Sequence, residues 1–445
     1  MQKLKVHENG KNLILEDGTP FFYLGDTAWE MFQRLTKDEV EYYMSVRARQ
    51  GFNVVQAIAL SGSEPYECPN KYGRTALKAP YDSPEPDTEG PYSYWDHIEW
   101  CVSCAERYGI YFALLPMWSN RYNDPDTTIF KGYEVSRQYG RFLGERFRDH
   151  PNIIWMLGGD VDVKPYMHEI FDGLAAGIRA GEGENNHLFM FHPGGLSSSV
   201  GQLGGDKPYL DFHSVQSGHS LKSYEPERFF PACRAVGKPF LDTEAHYEDH
   251  AANWHPKFRR WDAADIRMGA YRSVFSGACG ETYGNPLLIF FLYEPLIPEK
   301  YGDFIGDLTD GGWFEAMRHE GANTIGFLKK LCLSRNFLEL RPAPEMVTNA
   351  EPNVLFGELP CARGEDYAFV YSPMGREIRV DTRSFPKEYV RAAWFDPRTG
   401  EESEICYMER GEALFVPETR GRGNDWVLVL DNFDSSWMEK HQLEQ

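Results

Sequence analysis

Cysteine is scarce and scattered, with eight residues in a chain of 445. The spacing suggests no disulfide framework and is consistent with a reducing compartment. The one C-x-x-C, Cys101 and Cys104, lies inside the helical pattern YWDHIEWCVSCAERYG. A metal or redox site would need a second ligand pair nearby or a strand before the motif, so both are read as core thiols. Positive charge is also short. Lys plus Arg is 46 against 67 Asp plus Glu, a formal net charge of −21. That argues against a nucleic-acid partner and against docking on anionic lipid. No apolar run approaches the roughly 18 residues that span a bilayer. The opening MQKLKVHENGKNLILEDG has neither an apolar h-region nor a small-residue cleavage site. The expected location is therefore cytoplasmic, with a trimmed export signal left open. Gly-rich phosphate loops and a G-x-S-x-G elbow are missing as well, which disfavours a nucleotide-binding open sheet and a serine hydrolase.

What is present is apolar and aromatic: 42% hydrophobic residues, 15% Phe, Trp and Tyr. Such content argues for a packed globular protein. Short apolar runs alternate with helical patterns through the first three quarters. Strand candidates cover 21–25, 52–58, 110–115, 152–157, 188–191, 209–215, 239–243 and 277–283. Helical patterns cover about 94–108, 132–148, 163–180, 225–236, 261–275 and 313–333. Thr36 with Glu39 three residues on reads as a capping box opening another helix. This rhythm is that of a (β/α)₈ barrel, with a doubly wound open sheet as the rival. After Arg341-Pro342-Ala343-Pro344 the pattern changes to short alternating segments at 367–371, 377–380, 392–395, 413–416 and 426–430. They read as a small antiparallel β-sandwich. The expected domains are a barrel over 1–338 and a β domain over 339–445. The first strand-like pieces, near 4–7 and 12–15, could join either.

Barrel chemistry sits at the C-terminal ends of the strands. There the chain offers Asp26 and Trp29, Asn53 and Gln56, Trp118, Asp160, His192, His213 with Gln216 and His219, Glu244, and Tyr283. Asp160 follows strand four and Glu244 follows strand seven, so both can face one ligand across the mouth. Glycosidic cleavage needs such a pair: one carboxyl protonates the leaving oxygen while the other attacks or activates water. Trp29, Trp118 and Tyr283 are candidate sugar platforms, and His192 and His213 candidate hydroxyl partners. Asp160 and Glu244 could instead cap helices, Asp26 could be a structural cap, Asp162 is a decoy for Asp160, and Asp242 reads as a buried support. The histidines raise a metal-dependent hydrolase as an alternative. Such sites usually begin with H-x-H on strand one, which has no histidine here, so neither metal nor cofactor is expected.

Several segments together resemble the apiosidase-like glycoside hydrolases: Leu13 to Trp29 (LILEDGTPFFYLGDTAW), Gly51 to Gln56 (GFNVVQ), His192 to Gly195 (HPGG) and Lys238 to Glu244 (KPFLDTE). WFDPRTG at 394–400 and DWVLVL at 425–430 resemble the β domain that accompanies them, often labelled collagen-binding. The resemblance implies a retaining glycosidase, with Asp160 as acid/base and Glu244 as nucleophile. It also implies an oligosaccharide substrate, with apiose linkages in pectin as the family's characterised target. Most of the wider clan has Asn-Glu where this chain has Gly159-Asp160. The alternative from another class is a non-catalytic carbohydrate-binding protein on the same scaffold. Oligomeric state is not readable from the chain.

Overall fold

The computed structural model describes residues 1–204, 207–221, 226–255, 257–293, 312–351, 354 and 356–436. Eight parallel strands form the barrel: β1 (Tyr23–Thr27), β2 (Val54–Leu60), β3 (Tyr111–Met117), β4 (Ile153–Val161), β5 (Leu188–Pro193), β6 (His213–Gln216), β7 (Phe240–Asp242) and β8 (Gly280–Tyr283). Their order is β5-β4-β3-β2-β1-β8-β7-β6, and a short piece, Ser197–Ser198, runs antiparallel along β6. The seam between β5 and β6 has no regular ladder. It is closed by the Asp211 amide donating to the Phe189 carbonyl at 2.9 Å and by the Ser214 hydroxyl donating to the Phe191 carbonyl. The (β/α)₈ expectation holds over the open-sheet rival.

Alternation along each strand sorts side chains between two cores. Tyr23, Val54, Ile58, Ala113, Leu115, Ile154, Met156 and Leu241 fill the barrel interior. Leu24, Val55, Ala57, Phe112, Leu114, Trp155 and Leu157 pack outward on the helices. The N-terminal pieces Leu4–Val6 and Leu13–Leu15 pair with Pro20–Phe21 in a three-stranded sheet. Leu4, Leu13 and Phe21 join the interior core, so this sheet plugs the barrel floor.

The helices are α1 (Lys37–Arg49), α2 (Tyr94–Arg107), α3 (Gly132–Phe147), α4 (Met167–Glu182), α5 (Phe230–Val236), α6 (Ala263–Phe275) and α7 (Gly326–Leu333). The Thr36–Glu39 capping box opens α1. Ser93 with Asp96 and Asp262 with Asp265 open α2 and α6 in the same way. The helical pattern at 313–333 is in fact three pieces, because Trp313–Ala316 and Glu320–Thr324 precede α7. Residue 225, where one helix was expected to start, lies outside the described residues. Helices α3 and α4 touch backbone to backbone: a Cβ on Gly177 would fall 2.1 Å from the Arg137 carbonyl oxygen, so only glycine fits.

The C-terminal unit has a six-stranded antiparallel sheet, in order 341–342, 361–363, 367–372, 426–433, 389–396 and 401–409, and a two-stranded sheet of Ile378–Asp381 with Glu412–Phe415. Both sheets contribute to one apolar core that includes Ile378, Val380, Phe415, Val370 and Leu428. Helix α6 docks the barrel on this unit. Tyr271 stacks on Tyr371 at 4.8 Å and Phe275 on Phe369 at 5.8 Å. Beside them buried Arg267 grips the buried Asp425 carboxylate with Nε and Nη2 at 3.0 and 2.9 Å. Replacing Asp425 by Ala leaves the buried Arg267 guanidinium only the exposed Glu320 at 3.1 Å, which should cost about 3 kcal/mol. Urea unfolding with an unchanged midpoint would show that this pair does not hold the units together.

Candidate active site

The end of β4 breaks its own regularity. Gly158 and Val161 pair with His192 and Pro193, and the two residues between them bulge out of the ladder. Gly158, Gly159 and Asp160 all have positive φ, 87°, 112° and 51°. Side chains would not fit at the glycines: a Cβ on Gly158 would meet the His192 carbonyl at 2.3 Å, and one on Gly159 would meet Leu115 at 2.8 Å and Trp118 at 2.9 Å. Bulges re-aim a side chain. This one turns Asp160 into the mouth of the barrel, where its amide donates to His192 Nδ1 at 3.2 Å. Asp162, two residues on, faces away and accepts from Gln202 at 3.0 Å.

Glu244 lies just beyond β7 and is almost completely buried. His219 Nε2 is 2.9 Å from Oε1 and His192 Nε2 is 3.2 Å from Oε2. Burial alone would push this carboxyl up, but the close approach of the His192 and His219 imidazoles outweighs it and holds the pKa at about 2. The Glu244 amide donates to Asp242 Oδ1 at 3.2 Å, and the same oxygen accepts from the Ser217 amide at 3.3 Å. Burial raises Asp242 to about 6. Glu281, in register with Asp242 on β8, is pushed well up by burial and by the Asp242 charge.

Asp160 behaves oppositely to Glu244. Its side chain reaches solvent through the mouth, yet the pocket walls desolvate it and the Glu244 charge opposes its ionisation, so its pKa is raised. The nearby His192 pulls the other way, and so does the Gln216 side chain. The two carboxyls thus share one pocket with their protonation preferences driven apart.

The pocket has a volume of about 340 Å³, with walls that include Trp29, Ile58, Trp118, Tyr247, Trp254 and Phe290. The Trp29 and Trp118 rings lie 5.0 Å apart, and both pack on His192. Trp254 is 46% exposed and stands edge-on to His219 at 4.9 Å. It and Asn253 both adopt left-handed backbone, φ 58° and 55°, an uncommon conformation that clusters at functional sites.

Of the residues expected at the sugar site, Trp29, Trp118, Asp160 and Glu244 line the pocket, and His192 and Gln216 contact the carboxyls. The others lie elsewhere. Asp26 points outward from β1 and is buried against the Tyr43 hydroxyl and Arg47, 2.5 Å away. Burial raises its pKa despite the Arg47 charge. Tyr283 is paired with Asp26 across the sheet and points the same way, donating to Glu248 at 2.7 Å. His213 also faces outward, with Nδ1 2.9 Å from the Ser199 hydroxyl. The three histidines of the metal reading therefore do not converge. Among the described residues, no group of three or more His, Cys, Asp and Glu side chains is arranged to hold a metal ion. Asn53 stands before the first residue of β2, at the wrong end of the strand, and stitches Leu24 and Phe22 to it at 2.8 and 2.9 Å. Gln56 points inward but lies below the pocket, donating to the Thr243 carbonyl at 3.0 Å.

Tyr247, Trp254, Phe290 and Glu30 were not anticipated. The first three sit in loops beyond β7 and β8, where no periodicity marks a side chain's direction. Glu30 adjoins the expected Trp29; its Oε1 accepts from the Gly62 and Ser63 amides at 3.0 and 2.9 Å and so ties the long loop 61–93 to the mouth.

Known proteins match this architecture over nearly its whole length. The family profile described as "Apiosidase-like, catalytic domain" matches residues 7–339, and "Putative collagen-binding domain of a collagenase" matches 342–431. A solved structure titled "Glycoside hydrolase" is 31% identical, covering 98% of this chain and 97% of that one with a TM-score of 0.87. A glycoside hydrolase family 5 protein from Bacteroides vulgatus ATCC 8482 is 31% identical over 97% of this chain and 94% of its own, also with a TM-score of 0.87. No curated protein matches. With a catalytic-domain match spanning most of the chain and full-length relatives of the same fold, the protein belongs to the apiosidase-like family of glycoside hydrolases.

Proposed function

We propose that this protein is a retaining glycoside hydrolase acting on plant oligosaccharides of the pectic type, with apiose linkages as the first candidates. The barrel, 1–338, would carry the chemistry. In the first step Glu244 attacks the anomeric carbon, the bond to the leaving oxygen breaks, and Asp160 gives that oxygen its proton. In the second, the Asp160 carboxylate takes a proton from water, whose oxygen displaces Glu244 from the anomeric carbon. The observation that carries this reading is the opposed electrostatics of the pair: Glu244 held ionised by two imidazoles, Asp160 pushed toward its neutral form. Trp29 and Trp118 offer ring faces for the C–H face of a sugar. Gln216 and His192 hold the acid and the nucleophile in register.

Glu244→Gln should reduce kcat on a cleaved substrate by roughly 10³-fold or more, and turnover near the wild-type rate would remove the nucleophile assignment. Proton NMR of the first-formed sugar should show the substrate's own anomeric configuration; an inverted product excludes a glycosyl-enzyme at Glu244. Asp160→Ala should slow substrates with poor leaving groups far more than activated aryl glycosides, which need little protonation. Equal losses on both would contradict the acid role. Tight binding without any cleavage would favour the non-catalytic reading.

Activity should fall as pH rises through the elevated Asp160 pKa, while Glu244, near 2, imposes no acid limb in the ordinary working range. Removing one clamp in His219→Ala lets burial raise Glu244, so the acid limb of kcat/KM should move upward. An unmoved acid limb in that variant would show that His219 does not hold the charge.

A further inference from the structure

A second built feature lies at the opposite end of the barrel from the pocket. Two contiguous cavities, of about 150 and 770 Å³, run along the joint between the barrel floor and the β unit. They share Lys11, Arg234, Arg341 and Pro342, and Lys238 lines the smaller one. The one acidic residue among their lining residues is Glu358, which is held by Arg272. A chain with net charge −21 has thus gathered four cations around one groove.

Lys11, Arg234 and Arg341 are exposed. Arg234 spends one nitrogen on the Ser276 carbonyl at 2.6 Å, and among the described residues none of the three has a carboxylate at ion-pair distance. Elsewhere on the β unit Arg391, Arg398 and Arg422 each hold one. Arg341 also stands directly opposite Arg363 in the antiparallel ladder. Like charges facing each other across strands destabilise a sheet, so the fold keeps this charge at a cost that a bound anion would relieve. The groove floor offers Pro342, Pro344 and Leu340, apolar surface suited to a sugar's C–H face.

We propose that this groove binds carboxylate-bearing oligosaccharide, with Lys11, Arg234 and Arg341 pairing uronic-acid carboxylates at the joint of the two units. Guanidinium groups favour carboxylates through two parallel hydrogen bonds. The groove would hold an acidic glycan on the face away from the pocket and raise its local concentration there. The choice of a glycan rests on the glycoside hydrolase reading; the anion site itself does not.

The test is calorimetric titration of the full chain with an oligogalacturonate, a neutral oligosaccharide of equal length, and inorganic phosphate. The acidic oligomer should bind, should weaken as salt is raised, and should lose at least about tenfold in affinity in the double variant Lys11→Gln, Arg341→Gln. Aryl-glycoside turnover in that variant should stay within about twofold of wild type, because neither residue lines the catalytic pocket. Should the variant fold poorly, Arg234→Gln gives the same reading from a different element. Equal binding of the neutral oligomer, binding of phosphate alone, or unchanged affinity in the variants overturns the proposal. Acidic-oligomer binding without hydrolysis of any glycoside would refute the catalytic reading and leave the groove intact.

Discussion

A carboxylate kept ionised while almost completely buried is the constraint around which this mouth is built. Glu244 would neutralise itself on burial if nothing opposed it. Two imidazoles oppose it, and each is held in turn: His192 Nδ1 takes the Asp160 amide, and the His219 ring packs on Tyr247 and Trp254. Below, Asp242 accepts the Glu244 amide and Gln56 donates to the preceding carbonyl. The position of the charge is thus set by backbone on one side and by rings on the other, so it needs little reorganisation when a substrate arrives.

The same histidine links the two carboxyls. His192 contacts the backbone of Asp160 through one ring nitrogen and the side chain of Glu244 through the other. The bulge that follows Gly158 makes this possible, because a regular strand would have continued its alternation past the mouth. Glycine is required there on two counts, positive φ and absence of room for a Cβ. Asp160 inherits a left-handed backbone from that turn, and its exposure and elevated pKa follow from standing at the rim above a charge it cannot escape.

Much of this was legible in the chain. Barrel topology follows from eight strand–helix alternations, and the strand-end rule picked out Asp160, Glu244, Trp29 and Trp118 from 67 acids and 11 tryptophans. Where the reading failed, parity was usually the cause. Asp26, His213 and Tyr283 occupy strand positions whose side chains face the helices, and a one-residue change of phase would have turned each inward. Asn53 failed by strand polarity, standing at the start of β2, and Gln56 by depth. Tyr247, Trp254 and Phe290 lie in loops, whose paths are set by contacts distant in sequence.

The sequence by itself determined the barrel, the β unit after it and the chemical class of the site, because hydrophobic period, turn residues and strand-end carboxyls are local signals. Tertiary structure alone decided which side of each strand faces the mouth, which histidines reach Glu244, and that the proton affinities of the two carboxyls are driven in opposite directions. It also decided where cations of a strongly acidic chain come together. Those are matters of distance and burial between residues far apart along the chain, and electrostatics depends on both.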